Sequence, residues 1–428
     1  MTASRPRLFY GWWVVLTCAL ALFLGPIPIL VYSFGVFLKP FVHDFGAGRG
    51  TVSLAVTIET FTVALCLPIA GRLIDRIGPR KVILPANAAA GLIFLAAYFC
   101  SDKIWQLYVF NLCLGIACSG LAPLSYCHVV SHWFDRHRGL ALGLMMAGLG
   151  VGAVVMPSVA QFLIARIGWR LTFSVVGAWI MLITVPLLAK FLVESPESIG
   201  LLPDGMPHSS GASLRRANDA GMRLSEACRT LDFWWLTCAI VLVAGSEHAC
   251  LSHIAAILAD RGASAATAAL ATSVFGVGLL VGRTGSGYLL NRFSAPRVAA
   301  LIFACAATGI GLLRVAASQQ LAFAAAFFVG MGLGAEVDIM AFLVSRYFGL
   351  RAFGAIYGVI FAAFALAGGL GAYLMGLSFD ATGSYALSLA IFCIATFVGA
   401  ALMLRLGPYR YKPAYAGASG PEPDVVTV

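Results

Sequence analysis

Apolar residues along this chain gather in blocks of roughly 20, long enough as helix to cross about 30 Å of hydrocarbon. Short stretches of charge, glycine and proline separate the blocks. The alternating segments of a membrane β-barrel are absent from this pattern. Cutting at the polar punctuation predicts twelve spans, at 12–37, 51–70, 82–100, 104–131, 139–163, 171–193, 233–258, 266–290, 298–316, 320–345, 353–378 and 384–405. The expected fold class is an all-α membrane protein with twelve transmembrane helices in two pseudo-symmetric six-helix bundles. One long polar segment, Glu194 to Asp232, divides the chain. It sets an N-terminal bundle at 1–193, a linker with an amphipathic helix (LSEACRTLDFWW) at 194–232, and a C-terminal bundle at 233–412. The tail at 413–428 is rich in Pro, Ala and Gly and is expected to be disordered.

Composition agrees. Of 428 residues, 61% are hydrophobic and 11% charged, with mean hydropathy +0.92. A soluble domain carries about 25% charged residues. The run from Trp12 to Phe37 is too long for a signal-peptide core and reads as the first span. The net charge of +10 does not signal nucleic acid, because the basic residues are scattered through short loops. An even number of spans puts both termini on one side. Of the 28 Lys and Arg, Arg283 lies inside a span and seven (Lys39, Arg49, Lys103, Arg166, Arg170, Arg261, Arg314) fall in loops opposite the termini. The other twenty lie on the termini's side, which predicts cytoplasmic termini. The expected protein is a monomer in the lipid bilayer of the plasma membrane, a bacterial inner membrane, with no nucleic-acid partner. The eleven cysteines sit almost all inside apolar runs without a CxxC pair, and read as small buried hydrophobes.

The two halves echo one another. GRLIDRIGPRK (Gly71 to Lys81) returns 216 residues later as GYLLNRFSAPR, with Asn291 in place of the aspartate and Arg292 after it. SHWFDRHRG after span four returns as SRYFGLRAFG after span ten. Parallel repeats of this kind place a binding site between the halves near the bilayer midplane. The first stretch, through Gly71, Leu73, Asp75, Arg76, Gly78, Arg80 and Lys81, resembles the loop signature of the major facilitator superfamily. WFDRHRGLALGLMMAG, with Trp133, Phe134, Arg136, Arg138, Leu140, Ala141, Gly143, Ala147 and Gly148, resembles the fifth-helix signature of monocarboxylate transporters. Met145 stands where that family has a small residue. The linker PESIGLLPDG is similar to bacterial carriers of this group, which includes oxalate–formate exchangers. The resemblance implies the major facilitator fold and a conformational latch at Gly71, Asp75, Arg76, Gly78, Arg80, Arg136, Arg138 and Arg292.

Arg283, in VFGVGLLVGRTGSGYLL, carries the candidate chemistry. A guanidinium keeps its proton, and burying it in a bilayer costs a few kcal/mol. It lies about 12 Å deep, counted from Asn291. Its functional reading is a clamp for an anionic substrate, and its bland reading is an ion pair between spans. The resemblance implies an arginine here, and an aspartate one turn before it, where this chain has Leu279. Tyr32, Asn111 and Tyr126 could offer neutral hydrogen bonds to substrate, or bond only to a neighbouring helix. Four acids inside spans, Glu59, Glu247, Glu336 and Asp338, are proton-coupling candidates. Glu336 and Asp338 point about 200° apart on a helix, so they do not form one site. Asp338 also lies about 12 Å deep, counted from Arg346. It is therefore expected to face the cavity within reach of Arg283, while Glu336 packs against a neighbouring span. His128 and His132 are i, i+4, but no third ligand is evident, so no metal is expected. The glycine runs lack the residues of a phosphate cradle. No nucleophile–base set or cofactor motif points to an enzyme. The expected function is proton-coupled transport of small, monocarboxylate-like organic anions by alternating access. The alternatives are anion exchange without net proton movement, and export of amphipathic compounds.

Overall fold

The computed structural model describes residues 9–201 and 221–411, apart from Asp135, Arg136, Asn291, Ala317 and Leu350. Helix α1 (Tyr10–Leu24) runs through a π turn at Pro28–Tyr32 into α2 (Phe34–Phe45). The break falls at Gly25, Pro26 and Pro28, where two prolines lack the N–H that a regular ladder needs. Then come α3 (Arg49–Ile77), α4 (Arg80–Ala96), α5 (Ile104–Ser119) and α6 (Pro123–Trp133). The last two make one crossing, interrupted before Pro123. Helix α7 (Arg138–Trp179) is two crossings merged across Gly168, whose φ of 74° breaks the helix. A π turn at Ile180–Thr184 leads from it into α8 (Val185–Phe191).

The second half is more regular. It holds α9 (Leu224–Ala227), α10 (Leu231–Asp260), α11 (Ala265–Leu290), α12 (Ala295–Val315), α13 (Gln319–Phe348), α14 (Phe353–Thr382) and α15 (Ala386–Met403). With α9 set aside, the helices make the twelve crossings that hydropathy predicts. The linker differs from expectation. LSEACRTLDFWW is a single turn, α9, followed by a fresh helix start rather than one amphipathic helix. The Glu226 carboxylate accepts the Arg223 N–H at 2.8 Å, and Thr230 then caps α10 by accepting from the Phe233 N–H at 3.3 Å. Residues 202–220 and the tail from 412 lie outside the described residues.

The halves meet along α3 against α14 and α7 against α11. Small residues let the backbones touch, which is how helices associate where lipid removes the hydrophobic drive. A methyl on Gly276 would meet the Ala153 carbonyl carbon at 2.5 Å, and one on Gly376 would meet Gly50 at 2.7 Å. These contacts, and the hydrogen bonds and ion pairs that join the halves among the described residues, gather toward the end opposite the termini. On the termini's side the same four helices show no such close approach at four of their glycines. Gly71, Gly143, Gly285 and Gly354 have nothing within 4 Å of where a methyl would sit.

Candidate functional site

Arg283 is held by the rigidity of its helix. Gly278 and Gly282 of α11 lie against the backbone of α13 at Phe327 and Met331, and Gly330 and Gly334 of α13 lie against α11 at Phe275 and Leu279. Two helices interlocked this closely fix the side chains they carry. Across this seam Arg283 Nε lies 3.3 Å from Asp338 Oδ2, with the two side chains 21% and 41% exposed. The approach is an ion pair without hydrogen-bond geometry: the buried Nε and Nη1 of Arg283 have no hydrogen-bond partner. Tyr32 of the other half lies within electrostatic reach of Arg283, as does Tyr357 of α14. Tyr357 belongs to a row of rings on one face of α14. Phe353, Tyr357, Phe361 and Phe364 stack at centroid distances of 5.6, 5.8 and 5.4 Å. The arrangement offers a cation with unused donors, a displaceable carboxylate, two phenols and an aromatic wall.

The other expected site residues fall elsewhere. Tyr126 is 1% exposed, and its hydroxyl accepts from Asn87 Nδ2 at 3.1 Å. Asn111 donates to the Leu107 carbonyl at 2.9 Å and lines an apolar pocket of the N-terminal half with Phe34, Phe37 and Phe110. Both bond within their own half in this conformation. Glu59 is buried on the α5 side of α3, beside Cys118, and does not join Arg283. Glu247 of α10 and Glu336 of α13 are both fully buried. Of the latch residues, Arg136 and the side chains of Asp75 and Arg138 lie outside the described residues. Arg76 is exposed, and Arg292 covers the Tyr288 ring at 4.7 Å.

Three features were not foreseen from the sequence. Tyr357 joins the Arg283 cluster, and its spacing from Phe353 and Phe361 is the signal that could have found it. Glu194 reaches back to the first loop, where its carboxylate accepts the Arg80 N–H at 3.0 Å at the start of α4. The second half repeats this with a different group, the Tyr409 hydroxyl, which accepts the Ala295 N–H at the start of α12. The third is a lock at the end opposite the termini. Arg49 grips both oxygens of Asp260, donates to Tyr385 at 2.7 Å, and lies over the Phe379 ring at 3.8 Å. Lys39 adds a contact to Asp260 at 2.8 Å. Asp380 accepts the backbone N–H groups of Arg49 and Gly50, each at 2.8 Å, capping α3 from the other half. Beneath it, Ser53 bonds His253 at 3.3 Å, and His253 bonds the Tyr385 hydroxyl at 3.0 Å.

Two bundles of matched topology meet toward the end opposite the termini, and the partly exposed Arg283–Asp338 pair lies in the second of them. The Major Facilitator Superfamily model matches residues 18–372. The chain belongs to that superfamily. It is a multi-pass membrane transporter and not an enzyme. It is 26% identical to monocarboxylate transporter 13 of Bos taurus, covering 99% of this chain and 95% of that protein. It is also 26% identical to a gallate transporter of Pseudomonas putida, over 87% and 89%. An uncharacterized transporter of the superfamily from Bacillus subtilis, YcxA, is 24% identical over 89% and 91%. Among solved structures, a bacterial homologue of the human lysosomal transporter Spinster, inward-facing and occupied, superposes with a TM-score of 0.67 at 17% identity. That match covers 94% of this chain and 97% of the other.

Proposed function

We propose that this superfamily member is a secondary active transporter of small organic anions, monocarboxylates foremost, coupled to protons. One observation carries the reading: Arg283 is a largely buried guanidinium whose Nε and Nη1 lack hydrogen-bond partners, set beside a partly exposed carboxylate that a substrate carboxylate can displace. A carboxylate bound across one edge of the guanidinium engages two parallel N–H groups, a geometry that the single Nε contact to Asp338 lacks. The names of the monocarboxylate and gallate relatives support the same class. The ring row on α14 suits the body of a planar anion whose head is at Arg283. With cytoplasmic termini, as the loop charges indicate, the Arg49–Asp260 lock closes the outer end. Anion exchange without net proton movement is the second reading. Leu279, buried against Gly334, stands where the resemblance implies an acid beside the arginine.

The test is uptake of a labelled carboxylate panel into proteoliposomes, with and without an imposed pH gradient. Accumulation that follows the gradient supports the first reading. Exchange indifferent to it favours the second. Transport of no carboxylate under either condition removes both.

A further inference from the structure

Glu247 and Glu336 have no role in the anion site, yet they occupy the interior of the C-terminal half. Both are 0% exposed. Gly332, one turn before Glu336 on α13, leaves space that the Glu247 carboxyl fills; a methyl there would run into its Oε1. The two carboxyls are thus neighbours, close enough to interact. None of their four oxygens has a well-formed hydrogen bond to another group. Among the described residues no cation pairs with them. Arg283 pairs with Asp338, and its charge is felt by Tyr32 and Tyr357. On α10, His248 bonds the Ala244 carbonyl and abuts Phe364, and His253 bonds Tyr385 and the Ala372 carbonyl. Cys250, with Cys393 of α15 beyond it, is the other titratable neighbour that Glu247 influences.

Two contacting carboxyls with no counter-ion cannot both be charged. In this conformation they share at least one proton. We propose that the Glu247–Glu336 pair is the proton-binding site of the transport cycle, separate from the anion site at Arg283. Asp338, unlike the pair, has a cation beside it in Arg283. The two sites are linked through α13, which carries Glu336 and Asp338 two residues apart and is interlocked with α11. A substrate that takes Arg283 frees Asp338 and shifts this rigid pair of helices against α10. The pair keeps its proton through the switch; parting Glu247 from Glu336 on the far side, and admitting water between them, lets the proton pass to that water as the anion leaves. The emptied pair takes a proton from water on the first side before the next anion binds.

This inference rests on the anion-carrier reading, and the experiment separates the two. Glu247→Gln, Glu336→Gln and the double variant are reconstituted beside the wild type. Carboxylate counterflow, which moves anions both ways without net proton flow, and accumulation under a pH gradient are both measured. One proton per anion lets the wild type accumulate about tenfold per pH unit. In the variants, accumulation falls to equality across the membrane while counterflow continues. Variants that still accumulate like the wild type overturn the proton site alone. Variants that lose counterflow together with accumulation, though inserted and folded by thermal unfolding, assign the pair a structural role and overturn it too. A wild type without carboxylate counterflow overturns the anion reading itself.

Discussion

Asp260→Asn is the sharpest perturbation of the lock at the end opposite the termini. The carboxylate receives two contacts from Arg49 and one from Lys39, and its side chain is 29% exposed. Asparagine has nearly the same shape but no charge, so the change isolates electrostatics from packing. It also leaves two cations side by side without their shared anion. A hydrogen bond to a charged group contributes about 1.5–3 kcal/mol. The amide keeps weaker neutral bonds and water screens the site, so a net loss of about 2 kcal/mol is expected. These contacts span the two halves and exist only while that end is closed. The whole loss therefore falls on the closed–open equilibrium, moving it by about 30-fold. The assay is electron–electron distance measurement between spin labels at Lys103 and Ala266, both exposed, one on each half. The wild type is expected to give a single short distance, and Asp260→Asn a second, longer population. An unchanged distribution in correctly folded Asp260→Asn refutes the claim that this network holds the end shut.

Further outcomes follow from other contacts. Tyr357→Ala opens the ring row beside Arg283 and is expected to raise KM for aromatic carboxylates about tenfold while changing it little for acetate-sized ones, read by competition in counterflow. Gly78→Ala combines a φ of 92° with a methyl 2.6 Å from Glu194 Oε1, so a loss of at least about 1 kcal/mol is expected as a lowered Tm. Asp44, between the first two spans, accepts from Trp169 at 2.8 Å and from Arg170 at 2.6 Å. Partial burial pushes its carboxyl up, but hydrogen bonds from His43, Trp169 and Arg170 outweigh this and hold it below the usual carboxylate range. Its stabilisation is therefore complete above the unfolded value and lost as pH falls through the folded one. The Tm difference between wild type and Asp44→Asn is expected to stay constant from pH 8 to 5 and to shrink only below about pH 4.

The spans were legible because hydropathy and length are local properties, and the paired halves because the loop repeats are local too. Arg283 and Asp338 were placed near one another by counting helical rise from the same membrane edge. That works because a straight helix converts residue number into depth. Asn111 and Tyr126 kept two readings because a neutral polar group inside a span is satisfied as well by a backbone carbonyl or a neighbouring amide as by a ligand. No sequence pattern tells these apart. The contact between Glu247 and Glu336 depends on which way α10 and α13 face each other, and only Gly332 hints at it. Glu194 reaches Arg80 across 114 residues, and Asp260 reaches Arg49 across 211. Such partners are created by the fold and have no trace in spacing.

The central claim is that Arg283 receives the carboxylate of the substrate. Calorimetric titration of the purified protein with a transported carboxylate, and with its neutral amide, tests this most directly. Binding of the acid is expected, with no measurable binding of the amide and at least about a hundredfold loss of acid affinity in Arg283→Lys, which keeps the charge but lacks the planar pair of donors. Equal affinity for acid and amide, or an Arg283→Lys protein that binds the acid like the wild type, would contradict it.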